Sequence, residues 1–206
     1  SSPSRGLGDV YKRQNILCGH SLGEYTALVA ANSISLEDAI LLVHKRGILM
    51  EKCKKGSMCA ILNVDKDIIS KTCKQIENKF NTIVAPANIN SPKQIVISGT
   101  TAGVNQVVKR LIQSGYKKCI KLNVSVASHS RLMDEISKDF RDELNEINFS
   151  EPNCEVIHNV DNKSSSDVFD LKEKLLNQLT SPVQWTSTMN YIKTVSYTHL
   201  RAHETD

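Results

Sequence analysis

The chain has 206 residues, 40% of them hydrophobic and 23% charged, with 26 Lys and Arg against 22 Asp and Glu. That length and balance describe an ordinary globular chain of one large domain or one and a half small ones. A net charge of +4, mild and interspersed, argues against a nucleic-acid partner, and no apolar run approaches the ~18 residues of a membrane span.

Residues 1–14 are rich in Ser, Gly and Arg and show no period. They lack the apolar segment of a secretory signal and read as a foreign or disordered tail, as do residues 195–206. The six cysteines form no Cys-x-x-Cys and stand mostly among apolar residues. They read as reduced, buried thiols of a cytosolic protein.

The first element is a short apolar strand, Ile16-Leu17-Cys18, followed by Gly19-His20-Ser21-Leu22-Gly23 and a helical run over 26–31. This is the Gly-x-Ser-x-Gly form of a nucleophile elbow. A tight strand-to-helix turn lifts the serine hydroxyl clear of the backbone and leaves free N–H groups at the helix start. Gly19 and Gly23, without Cβ atoms, are expected to let strand and helix pack closely on both sides. Ser35 then caps a second helix running to about residue 54, with Leu36, Ala39, Ile40, Val43, Gly47 and Met50 along its apolar face and Arg46 at the edge of that face.

The texture changes near Gly56. Strands are expected over 58–64, 82–87, 94–98 and 119–124, helices over 66–78 and 101–114, and a turn over 88–92. The order β-α-β-β-α-β over 56–126 is that of a ferredoxin-like subdomain. After the small-residue loop 125–130, a helix is expected over 132–147, a buried strand at Val156 and Ile157, a helix over 168–179, and an extended turn over 181–185. The fold class read from these elements is α/β, with a first domain over 15–55 and 127–194 and the ferredoxin-like subdomain inserted at 56–126.

A serine needs a base to become a nucleophile. Of the six histidines, His20 adjoins Ser21 and points elsewhere, His44 lies mid-helix, and His158 ends a strand. His199 and His203 have helical metal spacing, but Leu200 follows the first where a metalloprotease needs Glu, so no metal is expected. His129, in the loop where the chain re-enters the first domain, is the best base. Arg46 is either a snorkelling helix arginine or a guanidinium fork for a carboxylate.

Together these residues resemble the malonyl-CoA:acyl carrier protein transacylase family. The resemblance rests on Gly19-His20-Ser21-Leu22-Gly23-Glu24-Tyr25, Lys45-Arg46-Gly47-Ile48-Leu49-Met50, Asn88-Ile89-Asn90-Ser91-Pro92-Lys93-Gln94, Ser128-His129-Ser130-Arg131-Leu132-Met133 and Ser181-Pro182-Val183-Gln184-Trp185-Thr186. The five blocks keep the family's order over about residues 15–193, and the resemblance implies that the first domain, 15–55 and 127–194, is a hydrolase-like parallel-sheet domain, here incomplete, carrying the ferredoxin-like insertion. The resemblance implies that Ser21 is acylated by malonyl-CoA and passes the malonyl group to the phosphopantetheine thiol of acyl carrier protein. It implies His129 as base and acid, the Leu22 N–H as oxyanion donor, and Arg46 as partner of the malonyl carboxylate. No cofactor, a monomeric chain, and a cytoplasmic or organellar site of fatty acid synthesis are expected with it.

The family also has an early Gly-Gln-Gly-type loop, whose glutamine is a second oxyanion donor, and a late region whose backbone carbonyl orients the histidine. Residues 1–14 do not match the first, and residues 194–206 contain none of the second. Three rival readings use the same residues: an acyltransferase domain of a polyketide or multifunctional synthase, an inactive remnant that only binds carrier protein, and a plain serine esterase. The esterase needs an acid between nucleophile and histidine, where Asp65, Asp67 and Glu77 are available.

Overall fold

The computed structural model describes residues 16–203, and for 196–203 the backbone alone. The expected tail over 1–14 lies outside the described residues. Among the described residues, six strands and seven α-helices follow one another over two lobes.

The first lobe is built on two parallel strands, β1 (Ile16–Cys18) and β6 (Glu155–Ile157), in register Ile16 to Glu155 and Cys18 to Ile157. Helix α1 (Gly23–Ala30) leaves β1 through the serine turn, and α2 (Leu36–Lys52) follows, its first turn closed by the Ser35 hydroxyl accepting from the Asp38 N–H at 3.0 Å. The apolar face of α2 differs from the expected one. Ala39, Leu42, Arg46, Leu49 and Met50 are the buried residues, whereas Leu36 and Ile40 are 59% and 61% exposed. Arg46 therefore sits within the buried stripe and not at its edge.

The second lobe begins at β2 (Ser57–Leu62), continues through α3 (Lys66–Phe80), β3 (Val84–Ser91), β4 (Gln94–Gly99) and α4 (Thr101–Gln113), and ends with β5 (Cys119–Lys121). Its sheet is antiparallel throughout, in the order β3-β4-β2-β5, which is the ferredoxin-like order. The period of two is visible in the packing. Cys59, Ile61, Ile95 and Ile97 meet α3 and α4 through Ile69, Cys73, Val104, Val107 and Leu111. Met58, Ala60, Ala87 and Val96 form a smaller cluster of their own.

The expected turn over 88–92 is corrected. Asn88, Ile89 and Asn90 continue β3, with irregular register between Pro86 and Asn88 and again between Ile89 and Ser91. The reason lies elsewhere in the chain. The segment after the sixth helix pairs with this strand, the Ile89 N–H donating to the Val183 carbonyl at 2.9 Å and the Val183 N–H to the Ala87 carbonyl at 2.8 Å. Asparagines that would suit a turn are thus held extended by a partner nearly a hundred residues away.

The chain returns through a 3-10 helix, Arg131–Ile136, which runs into α5 (Ser137–Glu146), where one continuous helix is expected from sequence. Helix α6 (Val168–Gln178) follows β6, and α7 (Trp185–His203) closes the described residues. The backbone of α7 passes through the region that the sequence reading assigns to a tail from Val195 onward. The core of the first lobe gathers Tyr25, Leu28, Leu42, Met133, Phe140, Leu144, Leu171 and Leu175 from five helical segments. Where the chain crosses between lobes, the Gly56 N–H donates to the Ser125 carbonyl at 3.0 Å, and a Cβ on Gly56 would lie 2.5 Å from that of Ala127.

Candidate active site

Ser21 stands between β1 and α1 with φ of +52°, the left-handed conformation that a sharp strand-to-helix turn demands. The turn closes with Gly23 N–H on the His20 carbonyl and Glu24 N–H on the Ser21 carbonyl, both at 3.0 Å. The Leu22 N–H takes no part in these bonds, and Leu22 is half exposed. Gly19 is needed because a Cβ there would lie 2.0 Å from the Gly23 carbonyl. Gly23 has open space around such an atom, so the expected close approach exists on one side only.

His129 meets the serine across 108 residues, with Oγ to Nε2 at 2.8 Å. Its Nδ1 lies 2.8 Å from the Gln178 carbonyl. A carbonyl can only accept, so Nδ1 carries the proton and Nε2 presents its lone pair to the serine hydroxyl. This corrects the expectation about the orienting carbonyl: Gln178, well before residue 194, supplies it. The ring is 4% exposed, and burial, then the nearby Arg46 charge, pull its pKa down to about 4. The imidazole is therefore neutral at neutral pH. Among the described residues no carboxylate stands behind it. Glu77, a candidate acid for an esterase triad, bonds Arg131 at 2.6 Å and the Val84 N–H at 3.1 Å.

Arg46 is 6% exposed and lies over the Tyr25 ring at 5.9 Å. One Nη2–H donates to Gln178 Oε1 at 3.3 Å, and Nε has no partner among the described residues. No carboxylate among those residues pairs with it. A buried guanidinium left so loosely satisfied is suited to a carboxylate brought in from outside.

Four further residues frame the site, and none had a role in the sequence reading. Asn159 clamps the elbow, its Oδ1 accepting from the Ser21 N–H at 2.6 Å and its Nδ2 donating to the Gly19 carbonyl at 2.7 Å. Glu24, fully buried, accepts from the Asn159 N–H at 3.0 Å and from Gln178 Nε2 at 2.8 Å, and its other oxygen lies 2.7 Å from His158 Nδ1. Gln178 Nε2 also donates to the Ser21 carbonyl at 3.1 Å. Glu24 alone had a signal, its place in the elbow block; the partners come from distant elements. His20, as expected, points away from the serine, toward Asn90 Oδ1 at 2.9 Å and the edge of Trp185.

The six cysteines are unpaired, and burial raises the thiol pKa of Cys59 to about 11 and of Cys73 to about 12. Among the described residues no group of His, Cys, Asp or Glu is placed to hold a metal ion, and no helix is long and apolar enough to cross a membrane.

The profile of the acyl transferase domain matches residues 4–199. The chain is 38% identical over 192 residues to malonyl CoA-acyl carrier protein transacylase of Salmonella typhimurium, covering 92% of this chain and 62% of that protein. The solved malonyl CoA-acyl carrier protein transacylase of Coxiella burnetii superposes with a TM-score of 0.85 at 34% identity, over 90% of this chain and 59% of that one. A malonyl-transacylase solved in complex with a type II PKS acyl-carrier protein superposes with a TM-score of 0.84 at 36% identity, over 88% of this chain and 59% of that one. The chain thus spans about three fifths of the length of the relatives it matches.

Proposed function

The chain belongs to the acyl transferase domain family, and on that premise we propose that it moves a malonyl group from malonyl-CoA to the phosphopantetheine thiol of acyl carrier protein, as a step of fatty acid synthesis in the cytoplasm or an organelle. The observation that carries this reading is a Ser–His pair sharing Gln178 with a buried arginine that has no carboxylate partner among the described residues. The names of the relatives point to the same donor and acceptor.

In the first half-reaction His129 Nε2 takes the Ser21 proton as Oγ attacks the thioester carbon. The oxyanion forms against the Leu22 N–H at the start of α1, where the helix dipole also favours negative charge. Collapse breaks the carbon–sulfur bond, and His129 returns its proton to the departing CoA sulfur. The second half repeats these steps in reverse order, with the carrier thiol as nucleophile and Ser21 as leaving group. No cofactor enters. Arg46 holds the carboxylate at the far end of the malonyl group, so an acyl chain without one leaves the guanidinium buried and poorly satisfied.

A serine esterase is the weaker reading, because His129 rests on a carbonyl and not on a carboxylate. A polyketide acyltransferase domain would use the same residues in the same chemistry.

Intact-mass analysis after mixing with malonyl-CoA or acetyl-CoA tests the proposal. The chain should gain one malonyl group, and Ser21→Ala should gain none. Arg46→Ala should lose malonyl loading by roughly 10- to 100-fold, the worth of a hydrogen-bonded charge, while acetyl loading changes less. Equal loss of both acyl groups would remove the carboxylate role, and ester hydrolysis indifferent to Arg46 would favour the esterase.

A further inference from the structure

One residue links the serine turn, the histidine and the arginine. Gln178 ends α6 and is fully buried. Its amide nitrogen faces the Ser21 carbonyl at 3.1 Å and the Glu24 carboxylate at 2.8 Å. The first can only accept, and the carboxylate accepts in its ionised form, so the amide has one favourable orientation. Its oxygen is then the atom turned toward Arg46, and it is the one hydrogen-bond acceptor found for that guanidinium among the described residues. The Gln178 backbone carbonyl, a separate group, holds His129.

We propose that the Gln178 side chain is a positioning and specificity residue, aiming the Arg46 guanidinium at the acyl carboxylate and tying that aim to the Ser21 turn. This rests on the malonyl-transfer reading above. Glu24 fixes the amide, and the amide fixes the arginine. At 3.3 Å the neutral oxygen holds Arg46 weakly enough for a carboxylate to displace it or join it, since charge-assisted bonds are shorter and stronger. The arrangement also links acyl recognition to the base. The Arg46 charge disfavours protonated His129, and a carboxylate arriving on Arg46 offsets that charge. A malonyl group therefore improves the base that activates the serine attacking it, whereas an acetyl group does not.

Replacing the side chain leaves the backbone carbonyl in place, which separates the two roles of this residue. Gln178→Met keeps length and helix propensity and removes the amide. The malonyl-to-acetyl ratio of kcat/KM should fall about tenfold. An unchanged ratio overturns the proposal even when both rates drop, because loss of structure alone lowers both alike. Gln178→Glu, which supplies Arg46 with a resident carboxylate, should also erase the malonyl preference, and a preference that survives counts against the idea. The crystal structure of Gln178→Met needs no turnover: Arg46 should have left its place over the Tyr25 ring, and an arginine still in place overturns the proposal. If the unsubstituted chain forms no malonyl ester, the functional reading fails, and the Arg46 position in that variant crystal still decides this one.

Discussion

At the scale of single residues, the site works through fixed hydrogen-bond directions. The Gln178 carbonyl sets the His129 tautomer, and Asn159 holds the backbone that leads into the nucleophile, from the Gly19 carbonyl to the Ser21 N–H. A base with a pKa pulled down to about 4 must be neutral to act, so its working form is lost as pH falls through that value and is complete well above it. The pH profile of malonyl-CoA acylation should therefore show an acid limb in kcat/KM near pH 4 and no loss from His129 protonation at neutral pH. Carboxylate binding at Arg46 relieves part of the lowering, so the acid limb of kcat should lie at higher pH than that of kcat/KM for malonyl-CoA, and the two should coincide for acetyl-CoA. Single-turnover acylation measured with both donors checks this; coincident limbs for malonyl-CoA would separate Arg46 from the base. Ser21 and His129 were legible as residues because a nucleophile motif is local and a loop histidine stands out by elimination. Their contact was not, since nothing in the spacing of 108 residues measures a distance in space.

At the scale of elements, α2 carries the arginine, and its setting shows where periodicity misleads. Leu36, Ala39, Ile40 and Val43 form a plausible apolar stripe, yet the buried stripe runs through Ala39, Leu42, Arg46 and Leu49. Hydrophobic periodicity ranks residues by type, so it sets a charged residue outside the core; burial places Arg46 inside because its head meets the Tyr25 ring and the Gln178 amide. The N-terminus of α2 was legible, as Ser35 caps it in the manner its type allows. Ser35→Ala should lower stability by about 1 kcal/mol, read as a shift in urea midpoint at constant slope. A change in the malonyl-to-acetyl ratio in that variant would mean that the cap also sets the pose of Arg46. Asn88 to Asn90 make the opposite case. Their residue types suit a turn, and pairing with Val183 overrides that preference.

At the scale of the whole molecule, the two lobes meet at several points, Arg131 with Glu77 and the Thr186 hydroxyl with the Ile89 carbonyl among them. The crossing chains touch at Gly56 and Ser125, β3 pairs with Val183, and His20 reaches Asn90. Gly56→Ala would bring a Cβ to 2.5 Å from both Ala127 Cβ and the Gly99 carbonyl oxygen, so the lobes must shift. A loss of roughly 1–3 kcal/mol is expected, the usual cost of overpacking. Because His129 lies two residues beyond Ala127, acylation by malonyl-CoA should fall further than stability explains; calorimetry and burst kinetics on the same sample check it, and an unaffected burst would uncouple the joint from the site. The α/β class with its ferredoxin-like insertion, the serine turn and the family are legible along the chain, because alternation of apolar residues, turn chemistry and ordered motif blocks are local properties. Packing in three dimensions buries Arg46 without a carboxylate partner among the described residues, makes Gln178 supply both the histidine's carbonyl and the arginine's acceptor, and lets Glu24 anchor the amide between them. Those facts depend on hydrogen bonds between residues 49 to 157 positions apart, whose directions exist only once the lobes have packed.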